Sequence, residues 1–198
     1  MKKAICLLVR RHFYSALRSL NMTLSVCVCL ICLFLTDAVD LGAQSAPAIG
    51  SPHATETDPA EDFLVQYREK ATGRWSQDIE TLEQRDVTQS DPEEAILFIG
   101  SSSIRRWNTI ESDMRPYQVV QRGYGGAKYT DLAVFAKRLI HPHEYSALVV
   151  FVANDVQGKP EDHSPEQVEE CARYIAGVSR KHRPEAPVFF IEITPTRK

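Results

Sequence analysis

The sequence predicts an α/β protein, a three-layer α/β/α arrangement around a parallel sheet, on three observations. Short, almost continuous apolar runs at 95–99, 147–152 and 188–193 read as strands, the first of them suited to burial on both faces. The stretches between them carry apolar residues at helical spacing. Their order alternates strand, helix, strand, helix, strand, helix, strand, which is the pattern of a parallel sheet wrapped by helices.

The elements follow in chain order. Residues 61–86 are helical in pattern, with Phe63, Leu64, Tyr67, Ala71, Trp75, Ile79 and Leu82 on one stripe. Gly73 falls in the middle and predicts a division into two helices. Ser90-Asp91-Pro92 marks a boundary before the first strand at 95–99. That strand stops at Gly100, and three serines lead into a mixed amphipathic segment that reads as a helix. Val119 and Val120 belong to a second strand, 117–121, which ends at Arg122-Gly123. Leu132, Phe135, Ala136, Leu139 and Ile140 give 130–140 a helical face, and 147–152 is the third strand. Val168, Cys171, Ala172, Ile175 and Val178 form the stripe of a helix over 165–182, before the last strand at 188–193. No internal repeat competes with this reading.

Of the 198 residues, 43% are hydrophobic and 25% charged, the composition of a globular protein, and there is room for one domain plus a flanking segment. A net charge of −3 gives no electrostatic reason to expect nucleic acid as a partner. The N-terminus differs from the rest. Lys2, Lys3, Arg10, Arg11 and Arg18 precede fourteen uncharged residues, 22–35, and small residues follow at 42–48. An apolar core that short fits the signal peptide of an exported, periplasmic or secreted protein better than a membrane span, which needs about twenty residues. An uncleaved membrane anchor is the rival reading, and membrane contact is then expected only through 22–35. Met22 is an alternative start. The expected organisation is therefore 1–43 signal peptide or membrane segment, 44–60 flexible linker rich in Ala, Ser, Pro and Thr, and 61–198 the folded domain. Four cysteines lie in the leader, so Cys171 stands alone in the domain as a small buried hydrophobe.

Three loops would leave the carboxyl ends of the first three strands and meet at one sheet edge, where functional loops of such folds lie. In the first, a serine among Ser101, Ser102 and Ser103 is either a nucleophile near unpaired backbone N–H groups or a helix cap. The second, Arg122-Gly123-Tyr124-Gly125-Gly126-Ala127, suits an oxyanion hole or a plain tight turn. It lacks the Gly-Lys-Ser/Thr ending of a phosphate loop. The third holds Asn154, an oxyanion donor or part of an Asn-Asp turn, with Asp155 able to order the loop.

Serine, glycine and asparagine in this order on a parallel sheet resemble the SGNH (GDSL-like) hydrolases, over about residues 93–198. The Gly-Ser-Ser-Ser-Ile block followed by Arg-Gly-Tyr-Gly-Gly is similar to their esterase and lipase branch. The resemblance implies a flavodoxin-like SGNH fold and a serine esterase. Ser102 takes the place of the nucleophile, and Gly126 and Asn154 complete the oxyanion hole. The substrates it implies are small-molecule or carbohydrate esters, with carbohydrate O-acetyl groups among them. Val152 stands where the family often has glycine, two residues before the asparagine.

The family's general base comes from an Asp-x-x-His block after a fifth strand, and no Asp-x-x-His occurs in this sequence. The expectation is thus of a domain truncated before its last strand and helix, with a non-catalytic ester- or glycan-binding remnant as the alternative. Six histidines are present. His12 lies in the leader and His53 in the linker. His141 and His143 flank Pro142 without a supporting ligand constellation. His182 reads as solvated, and His163 follows Asn154 as a candidate substitute base. Nothing in the sequence calls for a metal or organic cofactor.

Overall fold

Four strands form one parallel sheet in a computed structural model that describes residues 59–193. The predicted leader and nearly all of the predicted linker lie outside the described residues. Among the described residues no helix is long and apolar enough to cross a membrane.

The strands are β1 (Ile96–Gly100), β2 (Val119–Gly123), β3 (Ala147–Phe151) and β4 (Val188–Phe190), in the order β2-β1-β3-β4. Every pairing is parallel, with Ile96 opposite both Val119 and Ala147, and Leu148 opposite Val188. Parallel neighbours place all three strand-end loops on one edge, with the loop after β1 in the middle. The expected α/β class holds. All residues of β1 and β3 are buried, as continuous apolar runs require when both sheet faces are covered.

Side-chain alternation divides the sheet between two cores. Leu97, Ile99, Leu148 and Val150 face the larger one. Its helices are α1 (Val65–Thr88), α4 (Tyr129–Val134), α5 (Ala136–Ile140) and α6 (Pro165–His182). Ile96, Phe98, Ala147, Val149 and Phe151 face the smaller core, closed by Ile104 and Trp107 around the one-turn helix α2 (Ser102–Arg105), and by Ile110 of α3 (Ile110–Asp113).

The strands expected at 117–121 and 188–193 are Val119–Gly123 and the shorter, partly exposed Val188–Phe190, and three helical elements also differ from expectation. Gly73 does not divide α1, which runs unbroken for 24 residues behind a 3-10 turn at Pro59–Leu64. Its buried stripe of Ala71, Trp75, Ile79 and Leu82 continues across the glycine. That burial exceeds the roughly 1 kcal/mol a helical glycine costs. The helix expected at 130–140 is instead α4 and α5, separated at Phe135, where φ −100° and ψ 5° leave the helical region. The segment after the serines is two single turns, α2 and α3, so little macrodipole acts at Ser102.

The bounds of α6 agree with the sequence because its start is doubly capped. Ser164 Oγ accepts from the Gln167 N–H, and Gln167 Oε1 accepts from the Ser164 N–H, with Pro165 opening the helix. Cys171 is buried, and desolvation pushes its thiol up to about 12.

Candidate active site

The bend after β1 is fixed from both sides by backbone bonds. Gly100 C=O accepts from the Tyr124 N–H of the second loop at 3.1 Å, and the Ser101 N–H donates to Phe151 C=O at the end of β3, also at 3.1 Å. Glycine is needed at 100, where φ is +145° and an added Cβ would stand 2.1 Å from Phe151 O. A second close approach occurs at Gly123, whose missing Cβ leaves room for the Arg105 N and Ile104 side chain of α2. Gln121 Nε2 then donates to the carbonyls of Ile104 and Trp107, holding α2 against β2.

The three serines have different surroundings. Ser101 is buried and serves as the N-cap residue, yet makes no side-chain capping bond. Ser102 and Ser103 are half-buried. The Ser102 Oγ accepts from the Arg106 guanidinium at 3.2 Å. A cationic donor on that oxygen favours its alkoxide form, and exposure of the guanidinium screens the effect. Arg106 was not singled out in the sequence, although four-residue spacing on a helical turn puts the two side chains on one face.

Gly126 and Asn154 are brought side by side. Gly126 is exposed, and an added Cβ there would stand 3.9 Å from Asn154 Nδ2. One Asn154 Nδ2–H donates to Ala127 C=O at 2.9 Å, which aims the amide at the turn and leaves its second N–H for a ligand. Behind this turn, Gly125 at φ +34° sits where a side chain would enter the Trp75 ring, itself edge-on to Tyr124. Burial pushes the Tyr124 phenol well above its usual range, so the wall of the turn is neutral.

Asp155 orders its loop, as the sequence suggested it could. It is buried, and its carboxylate accepts from the Tyr129 N–H at 2.9 Å and contacts His163 Nδ1 at 2.9 Å. A carboxylate only accepts, so Nδ1 is the donor and His163 is held in a fixed ring orientation. Spacing alone did not reveal this pairing, because the seven residues between them fold as a loop.

The other described histidines lie elsewhere. His143 is buried at the amino edge of the sheet, with Nδ1 2.7 Å from Asp91 Oδ2. His182, expected to be solvated, is half-buried: its Nε2 bonds the His143 carbonyl at 3.0 Å, and its ring lies 5.2 Å from that of His141. Among the described residues no group of three His, Cys, Asp or Glu side chains could hold a metal ion. A groove of about 840 Å³ runs between Phe63, Lys137, His141, Tyr174, Lys181 and His182, and none of Ser102, Gly126 or Asn154 lines it.

No family model matches the chain, and no curated protein matches it either. Solved structures do. A protein from Streptococcus pneumonia described as a platelet activating factor aligns with a TM-score of 0.51 and 18% identity, over 68% of this chain and 58% of its own. A GDSL-like lipase from Bacteroides thetaiotaomicron aligns at TM-score 0.47 and 13% identity, over 57% and 56% of the two chains. An acylhydrolase from Bacteroides fragilis gives 0.45 and 17%, over 68% and 58%. The first likeness establishes a shared α/β fold. This chain spans less than two thirds of each neighbour's length.

Proposed function

We propose that the chain is an exported serine ester hydrolase that acts through Ser102. The observation that carries this reading is the convergence of three loops. The Ser102 bend lies between the loop bearing Gly126 and the loop bearing Asn154, tied by backbone hydrogen bonds to Tyr124 of the first and to Phe151, the β3 residue from which the second departs. In the proposed reaction Ser102 Oγ attacks the acyl carbon and loses its proton. The oxyanion of the tetrahedral intermediate is held by the Ser102 and Gly126 N–H groups and the second Asn154 amide hydrogen. Collapse expels the alcohol, and water then releases the acyl group from Ser102. The SGNH resemblance of the Ser102, Gly126 and Asn154 blocks agrees with this chemistry and implies small acyl esters as substrates.

Among the described residues the Ser102 Oγ is bonded to the Arg106 guanidinium and to no imidazole or carboxylate, so in the proposed reaction its proton passes to water. General-base help is worth roughly 10²- to 10⁴-fold, and an oxyanion hole with binding alone retains about 10³–10⁴ over water. Activity is therefore expected on activated esters first. The test is hydrolysis of p-nitrophenyl acetate by the full chain beside Ser102→Ala. Turnover above buffer that disappears in Ser102→Ala supports the proposal. Equal rates in both proteins contradict it and favour a non-catalytic ester- or glycan-binding remnant.

A further inference from the structure

The Asn154 loop is tied to the glycine loop by contacts that lie outside the sheet. Asn154 Nδ2 donates to Ala127 C=O, and the Lys128 ammonium donates to Glu161 C=O. Asp155, only 2% exposed, takes the Tyr129 N–H on one oxygen and the His163 Nδ1–H on the other. His163 is itself placed from two directions. Asp162 beside it accepts from the N–H groups of Gln157, Gly158 and Lys159, closing the preceding turn. The Tyr67 ring stands edge-on to the imidazole at 5.8 Å, and its hydroxyl accepts from Gln167 Nε2.

We propose that His163 is a positioning residue for Asn154, acting through the buried Asp155 carboxylate. This rests on the esterase reading of the site. Asp155 and Asn154 share a peptide bond, so a carboxylate held on both oxygens fixes the backbone from which the Asn154 amide projects. With His163 removed, the buried carboxylate keeps one donor, and an under-paired buried charge turns toward water. The Asn154 amide then loses its aim at the position of the developing oxyanion.

The test measures Ser102 acylation by p-nitrophenyl acetate in the full chain. Asn154→Ala should slow it by about 10²- to 10³-fold, as for loss of one oxyanion donor. His163→Ala should slow it by about 10-fold, in kcat rather than KM, and His163→Asn, whose amide can donate to Asp155, should recover most of the loss. In the Asn154→Ala background, His163→Ala should have no further effect, because both changes remove one function. Additive losses, or no loss in His163→Ala, overturn the proposal. Amide exchange at Tyr129 reads the same linkage without any reaction. It should accelerate at least about tenfold in His163→Ala and not in His163→Asn. Unchanged exchange overturns the positioning role whatever the activity. Responsive exchange in a chain whose Ser102 is never acylated overturns the esterase reading alone.

Discussion

Gly100→Ala adds one methyl group at the bend that presents Ser102, and its cost can be worked from geometry. The new Cβ would stand 2.1 Å from Phe151 O and 2.9 Å from Phe151 C, backbone atoms of β3 that cannot rotate aside. The φ of +145° is a region that L-residues avoid, at a cost of about 1–3 kcal/mol. Overpacking adds about 1–3 kcal/mol. The expected loss is thus about 2–6 kcal/mol, a large share of the ~5–15 kcal/mol that stabilises a domain. Gly73→Ala is the matched control. That position is helical, exposed, and has no neighbouring atom within 4 Å of the new Cβ, so the change should stabilise by about 0.5–1 kcal/mol. Urea unfolding of the full chain, followed by the fluorescence of Trp75 and Trp107, measures both. A Gly100→Ala midpoint within about 1 kcal/mol of wild type, or a destabilised Gly73→Ala, would refute the reasoning.

Other expectations rest on separate contacts. Arg122→Met should destabilise by about 1–3 kcal/mol in the same urea assay, because it removes the buried guanidinium 2.6 Å from Asp86, a half-buried carboxylate left with His143 at 3.6 Å. Cys171 should resist iodoacetamide at pH 8 in the native chain, since burial keeps its thiol protonated, and peptide mapping should find it modified only after unfolding. Stability should fall at alkaline pH. The Tyr129 phenol, pushed by burial and then by Asp155 from 10.0 to about 12, loses its proton first in the unfolded chain. Its contribution is therefore intact below pH 10 and declines by up to about 3 kcal/mol toward pH 12, and Tyr129→Phe should flatten that part of a pH–stability curve.

Periodicity was sufficient for the elements whose burial is simple. The runs in β1 and β3 are apolar on both faces because both faces are covered, and α6 carries its own capping signals at Ser164, Pro165 and Gln167. Local propensity misled at Gly73, where tertiary burial of Trp75 and Ile79 outweighs a flexible residue. It also overextended the helices around Phe135 and after Ser103, where the chain turns to fit buried aromatic side chains, Phe135 against Tyr124 and Trp107 against Phe98. The loop positions of Ser102, Gly126 and Asn154 were legible because each follows a strand end. Their supports were not. Asp155 with His163, Gln121 with the carbonyls of α2, and Arg122 with Asp86 are contacts between distant or irregular segments, and no spacing rule encodes them.

Ser102 as the nucleophile is tested most directly by finding where a phosphonylating reagent reacts. The full chain treated with a p-nitrophenyl phosphonate, digested and mapped by mass spectrometry, should carry one phosphonyl adduct, on Ser102. The adduct should persist in Ser101→Ala and Ser103→Ala and vanish in Ser102→Ala. An adduct on another residue, or unmodified Ser102 in a folded chain exposed to excess reagent, would contradict the account.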